Sequence, residues 1–121
     1  MKFRVARHSH DLDKIKHFYC DLIGLKVLGS FSDHDDYSGV FIGKEEENWH
    51  LEFTVSSENP LHHSDEDDLL VFYTQHDKEY QSILSRFREK GIKSLKAKNS
   101  YWSSHGTYFK DPDGFGIIIA K

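Results

Sequence analysis

The segment NWHLEFTV, residues 48–55, alternates between apolar and polar side chains without interruption. Such alternation is typical of a β-strand with one buried face, because successive side chains of a strand point to opposite sides. The apolar face of this strand carries Trp49, Leu51, Phe53 and Val55. The polar face carries His50, Glu52 and Thr54. An imidazole, a carboxylate and a hydroxyl on one face can meet water, a metal ion or a ligand in a cavity.

The first half of the chain predicts one strand, one helix and three more strands. A strand in KFRVARH places Arg4 and His8 on the same face. Asp11 is a suitable N-cap for a helix through LDKIKHFYCDLI, and Gly24 is a typical residue after a helix C-terminus. The next strands are predicted in LKVLGSF, YSGVFIG and WHLEFTV.

The second half repeats this order after a polar connection, SSENPLHHSDEDD. Its predicted elements are a strand in LLVFYTQ, a helix in HDKEYQSILSRFREKG, and strands in IKSLKAK, GTYFK and FGIIIA. At a spacing of about 66 residues Asp77 matches Asp11 and Ile118 matches Glu52, which indicates an internal repeat. The expected organisation is a single domain with module one at 1–58, a loop at 59–67 and module two at 68–121.

Composition narrows the class of protein. A length of 121 residues suits one domain, and a hydrophobic fraction of 37% suits a globular chain. The net charge of −4 and the absence of a basic stripe argue against a nucleic-acid partner. The single Cys20 and the lack of a long apolar run predict a cytoplasmic protein with no membrane association.

Several segments resemble the vicinal oxygen chelate superfamily, which includes glyoxalases, bleomycin-resistance proteins and extradiol dioxygenases. They are DLDKIKHFYCDLIGLKV, HLEF and YFKDPDGFGIII, and FRVAR, WHLEFT, LLVFY and YWSSHGTYFKDPDG resemble more narrowly its YycE-like branch. The resemblance implies an α+β fold of two βαβββ modules, which form a curved eight-stranded sheet around a cavity. With the alternation it predicts Leu51, Phe53, Ile117 and Ile119 beneath helices and Glu52 on the opposite face. It also implies a homodimer.

Metal-dependent members of this superfamily hold their ion with one residue from the first and one from the last strand of each module. Counting seven residues back from Asp11 and from Asp77 gives Arg4 and Leu70 as the first-strand positions. The resemblance of HLEF and DPDGFGIII to the family gives Glu52 and Ile118 as the last-strand positions. Only Glu52 could be a ligand, whereas a catalytic divalent ion needs about three protein ligands. We therefore expect no cofactor, and an Arg4–Glu52 ion pair in place of the metal.

The expected function is metal-free binding of a small organic molecule, aromatic or polar, with no catalytic residue assigned. The predicted ligand-binding residues are Arg4, His8, His50, Glu52, Leu70, Phe72, Tyr101, Trp102 and Ile118. The alternative is a lyase- or dioxygenase-type enzyme with a displaced metal site formed by His8, His50 and Glu52, or acid–base chemistry through Glu52 with His50.

Overall fold

The structure, a computed structural model, describes all residues 1–121, which form two compact units, residues 1–62 and 63–121. The first unit consists of β1 (Phe3–His8), α1 (Leu12–Lys16) continuing as a π-helical segment (His17–Leu22), β2 (Lys26–His34), β3 (Tyr37–Gly43) and β4 (Trp49–Val55). Its sheet has the order β1-β4-β3-β2. Strand β1 runs parallel to β4, and the other pairs are antiparallel.

The helix of the first unit covers the apolar face of β4, as predicted. The Asp11 carboxylate caps the helix by accepting hydrogen bonds from the backbone N–H groups of Asp13 and Lys14, at 2.9 and 3.1 Å. The ring of Tyr19 lies 4.9 Å from the ring of Phe53, and both side chains are buried. Because side chains alternate along β4, Glu52 lies on the other face of the sheet.

The second unit contains β5 (Leu69–Tyr73), α2 (Asp77–Glu89), the short α3 (Trp102–His105), β6 (Gly106–Lys110) and β7 (Gly116–Ala120). Its three-stranded sheet has the order β5-β7-β6, with β5 parallel and β6 antiparallel to β7. The rings of Phe87 in α2 and Phe109 in β6 stack 4.0 Å apart, so α2 covers this face of the sheet. None of the helices combines the length and apolar character needed to cross a membrane.

The segment IKSLKAK, residues 92–98, is not a strand. It forms one isolated bridge, in which the Leu95 N–H donates to the Tyr108 carbonyl over 2.8 Å. Ile92 and Leu95 are three positions apart and would point to opposite faces of a strand, so the segment has no continuous apolar face. The α+β fold is confirmed, with sheets of four and three strands where eight strands were predicted.

Helix α2 begins one residue earlier than the repeat predicts. Its N-cap is His76, whose Nδ1 accepts a hydrogen bond from the Glu79 N–H at 3.2 Å, and not Asp77. Counting seven residues back from His76 gives Leu69, so Leu69 and not Leu70 is the counterpart of Arg4. This shift by one position changes the face of the sheet to which the predicted residue belongs.

The pairing of β5 with β7 shows the consequence. Val71 lies beside Ile118, and Leu69 and Val71 both pack against the buried cluster that contains Ile118. Leu70 and Phe72 lie beside Ile117 and Ile119, on the face that α2 covers. The prediction that Leu70 and Phe72 share a face with Ile118 is therefore wrong, because adjacent residues of a strand point to opposite sides.

Candidate functional site

The polar cluster of the first unit arises from the parallel pairing of β1 with β4. In this register Arg4 lies beside His50 and Ala6 lies beside Glu52, so Arg4, His50 and Glu52 share one face. Strand β3 adds Phe41, which pairs with Glu52 from the other side of β4. We call these four residues, Arg4, Phe41, His50 and Glu52, the arginine cluster.

Arg4 holds the arginine cluster together. Its Nε donates to Nε2 of His50 over 3.0 Å, and its Nη1 lies 3.4 Å from Oε1 of Glu52. The guanidinium carbon lies 5.2 Å from the centre of the Phe41 ring, within the range of a cation–π contact. The predicted Arg4–Glu52 ion pair is present. Its two side chains are 50% and 14% exposed, so the arginine remains open to solvent.

His50 is the buried member of the cluster and serves as an acceptor. A guanidinium has only donors, so Nε2 of His50 must carry a lone pair, and the neutral ring then holds its proton on Nδ1. Burial, and then the positive charges of Arg4 and Lys2, hold the pKa of His50 below its ordinary value of 6.5. The Phe41 ring meets the imidazole edge-on at 5.8 Å. The site therefore contains a neutral imidazole beside a charged guanidinium.

His8 is not part of the arginine cluster. It pairs with Thr54 at the end of β1, where its Nε2 lies 3.0 Å from Oγ of Ser56. Its backbone carbonyl accepts a hydrogen bond from Nε2 of His62 at 2.6 Å. The chain contains no group of three or more His, Cys, Asp or Glu side chains arranged to hold a metal ion, so the structure does not bring His8, His50 and Glu52 together as ligands.

The predicted residues around α3 divide into an exposed pair and a packed side chain. The rings of Tyr101 and His105 stack 3.9 Å apart, and Tyr101 is exposed. Trp102 packs against the buried cluster of the second unit, which includes Ile118. Trp102 and Ile118 are therefore part of the packed core of that unit.

The two units carry different chemistry at equivalent positions. The Arg4–His50 pair of the first sheet corresponds to the Leu69–Gly116 pair of the second. The Phe41–Glu52 pair corresponds in the same way to Tyr108–Ile118. An aromatic residue is retained in both units, whereas the three polar side chains are replaced by two aliphatic ones and a glycine. The arginine cluster is thus a feature of the first unit alone.

The positions that correspond to the metal-ligand set are Arg4, Glu52, Leu69 and Ile118. Only Glu52 can coordinate a divalent ion, and the Arg4 guanidinium places a fixed positive charge against its carboxylate. These residues do not fit a metal ion, which needs about three ligands and a region free of positive charge.

Phe41 is a member of the site that the sequence did not predict. The residue lies in YSGVFIG, where it alternates with Gly39 and Gly43 on the same face of β3. Two glycines flanking one aromatic residue on a single face could have indicated that side chains of neighbouring strands pack over β3, as Phe31 does over Gly39. The cross-strand contact with Arg4 depends on pairing and had no local signal.

Comparison with known protein families agrees with this geometry. The family model described as the YycE-like N-terminal domain matches residues 3–54, and the YycE-like C-terminal domain matches residues 67–121. The chain belongs to the YycE-like family. It therefore belongs to the YycE-like branch of the vicinal oxygen chelate superfamily.

Two relatives are similar to this YycE-like chain over nearly its whole length, and neither has an assigned function. It is 38% identical to the uncharacterized protein YycE of Bacillus subtilis (strain 168), over 98% of this chain and 86% of the relative. The crystal structure of a B. subtilis YycE protein of unknown function has a TM-score of 0.86 at 37% identity, covering 98% and 88% of the two chains.

Two more distant structures share only the fold. Glyoxalase I of Leishmania major has a TM-score of 0.76 at 20% identity, covering 98% of this chain and 84% of the enzyme. The antibiotic-binding protein TnmS3 of Streptomyces sp. CB03234 has a TM-score of 0.68 at 18% identity, covering 99% and 93% of the two chains. One fold thus serves an enzyme and a binding protein, so function must be argued from the residues of the site.

Proposed function

We propose that this YycE-like chain binds a small organic molecule at the arginine cluster without converting it. The observation that carries the proposal is the position of the Arg4 guanidinium, which is half-exposed and held by His50 and Glu52. Two of its nitrogens are engaged by these residues, while Nη2 makes no hydrogen bond within the protein. A charged donor that is held in place and still unused is well prepared to bind an acceptor.

The surroundings of Arg4 define the class of ligand. Glu52 balances the arginine charge, which favours a neutral or weakly ionised acceptor, such as a carbonyl or a hydroxyl, over a strong anion. The Phe41 ring, with the Phe31 ring 5.9 Å away, offers an apolar surface beside this polar group. A partly aromatic molecule with one polar end fits the two surfaces, as is usual in small-molecule sites.

The similarity in fold to an antibiotic-binding protein supports binding as a use of this architecture. The residues at the four metal-ligand positions provide stronger support. Three of these positions hold an arginine and two aliphatic side chains in this chain, and none of the three can coordinate a metal ion. His50 is already an acceptor for Arg4, so its Nε2 is not available as a base while that contact lasts.

The test is a thermal-shift screen of aromatic carbonyl compounds, aromatic acids, amines and planar antibiotics. A ligand at 100 times its dissociation constant stabilises the folded state by about 2.7 kcal/mol. Protection by the best compound should fall in Arg4→Met and Phe41→Leu variants. It should persist in Arg88→Met, which changes an exposed arginine of the second unit that donates a hydrogen bond to Ser85.

Protection that is unchanged in Arg4→Met would contradict the proposal. So would a screen in which a divalent metal stabilises the protein more than any organic compound. Turnover of the bound compound, detected by mass spectrometry after incubation with the protein, would show that the chain is an enzyme.

A further inference from the structure

The second unit contains a cleft of about 420 Å³ that the proposed function does not use. It is lined by Glu66, Leu95, Lys96, Ala97, Lys98, Tyr108 and Lys110. It occurs where the segment that was predicted as a strand runs beside β6 but pairs only at Leu95 and Tyr108. Since the pairing stops after one bridge, the two segments leave a space between them. The volume is in the range of small-molecule sites.

The charge of this cleft is predominantly positive. Three lysines line it, Lys96, Lys98 and Lys110, against the carboxylate of Glu66, and Asp67 is a second carboxylate close to Tyr108. The overall charge of the protein is −4, so this local excess of positive charge is opposite to that of the whole chain. A concave surface lined by one sign of charge attracts ligands of the other sign.

The apolar part of the cleft is formed by residues of the core. Ala97 and Tyr108 are both buried, and they belong to one cluster with Ile118 and Ala120. They therefore provide a fixed wall, whereas the lysine side chains around it are exposed and adaptable. A fixed apolar wall with mobile charges suits an organic anion better than a bare inorganic ion, because only the former has an apolar body to bury.

Tyr108 provides the decisive polar group. The residue is 7% exposed, lines the cleft, and has a hydroxyl without a hydrogen-bond partner in the protein. No fully buried polar side-chain atom in the chain lacks a partner, so this hydroxyl must be open to solvent. Burial, followed by the charges of Glu66 and Asp67, raises the pKa of Tyr108, so the hydroxyl keeps its proton and is a donor.

We infer that this cleft is a second binding site, specific for a small organic anion. The lysines and the Tyr108 hydroxyl would hold its carboxylate or phosphate, and its apolar part would lie against Ala97. The site shares no residue with the arginine cluster, so either proposal can fail without affecting the other.

Titrations of the full chain with benzoate and with phenyl phosphate, followed by amide NMR shifts, test this inference. We expect saturable shifts at residues 95–98 and 108–110, with no such shifts for the neutral analogue benzamide. Tighter binding of phenyl phosphate than of benzoate would identify a phosphate site, and the reverse order a carboxylate site. No saturable shift with either anion at millimolar concentration would overturn the inference.

Variants separate the cleft from general charge effects. Lys98→Gln combined with Lys110→Gln should weaken binding of the better anion about tenfold, the size of effect expected when charge-assisted hydrogen bonds are lost. Tyr108→Phe keeps the packed ring and should also weaken binding about tenfold. Lys14→Gln combined with Lys78→Gln removes the same charge from exposed helix positions and should leave the affinity unchanged. Equal losses in both double variants would show a non-specific charge effect and overturn the inference.

Discussion

The Nε–H of Arg4 donates to Nε2 of His50 over 3.0 Å, across the parallel pair of β1 and β4. This contact determines the orientation of the Arg4 side chain and the protonation state of His50. The guanidinium keeps one orientation against the sheet, and the imidazole stays neutral because protonation at Nε2 would break the bond. A position equivalent to a metal ligand in related enzymes therefore carries a cation that is bound to a neutral base.

The Arg4–Glu52 pair should show a coupling energy of about 1 kcal/mol in a double-mutant cycle. This value lies between the coupling energies typical of exposed and of buried ion pairs, because only Glu52 is largely buried. Arg4→Ala should destabilise the protein by about 1–3 kcal/mol, because it leaves the largely buried Glu52 without its partner. Combining it with Glu52→Ala should recover part of this loss. The measurement is urea unfolding of the four proteins.

The control for this cycle is Lys16–Asp13, an exposed ion pair with an N···O distance of 3.3 Å. Its coupling energy should be about 0.5 kcal/mol or less. Equal coupling in the two cycles would contradict a special role for the arginine cluster.

The free energy of unfolding should decrease as the pH falls below about 6.5, because of His50. Its pKa is lower in the folded state than the ordinary 6.5, so the unfolded chain binds the extra proton first. The resulting stability is present above the unfolded pKa and is lost as the pH falls towards the folded pKa. His50→Gln should flatten this dependence in urea titrations between neutral and mildly acidic pH. His63→Gln, at an exposed loop position, should not.

The pKa of His50 should respond with opposite signs to changes in its two neighbours. Arg4→Met removes a positive charge that lowers this pKa and should raise it. Glu52→Gln removes a negative charge that raises it and should lower it further. NMR titration of the His50 ring proton measures both values. Shifts in the same direction would contradict the geometry of the cluster.

Gly116→Ala should destabilise the protein by about 1–3 kcal/mol through overpacking. A Cβ at this position would lie 2.9 Å from Cε1 of the buried Tyr108 ring and 2.6 Å from Cδ2 of Leu69. Gly29→Ala is the matched control, since its Cβ would meet the Phe41 ring at an ordinary 3.4 Å. The midpoint temperature of thermal unfolding should be clearly lower for Gly116→Ala than for Gly29→Ala. The reverse order would contradict the packing of Tyr108 over Gly116.

The resemblance to small relatives predicts a homodimer, with twice the 14.2 kDa mass of the chain in light scattering. Phe3 lies on the edge strand β1 and is 60% exposed, and we expect it to be buried in the predicted dimer interface. Phe3→Glu should shift the protein towards monomer. Leu61→Glu, in an exposed loop, should leave the mass unchanged. A monomer at all concentrations would contradict the prediction.

Local patterns in the sequence were sufficient for most of the fold and for part of the site. The alternation around Glu52 and the helical spacing that follows Asp11 identified the faces of β4 and of the first helix. The resemblance to the superfamily then led to the Arg4–Glu52 pair, which the structure contains. The buried faces follow from periods of two and 3.6 residues, which can be read from a short stretch of sequence.

Pairing between distant segments decided which side chains share a face of each sheet. The pairing of β5 with β7 places Leu69 at the position that was predicted for Leu70. Phe41 joined the site only because β3 pairs with β4 in the observed register. A shift of one residue moves a side chain from one face of a sheet to the other, and the register depends on contacts between segments that are far apart in the chain. The sequence by itself therefore determined most of the elements and the buried face of β4, while only the tertiary structure decided which side chains meet.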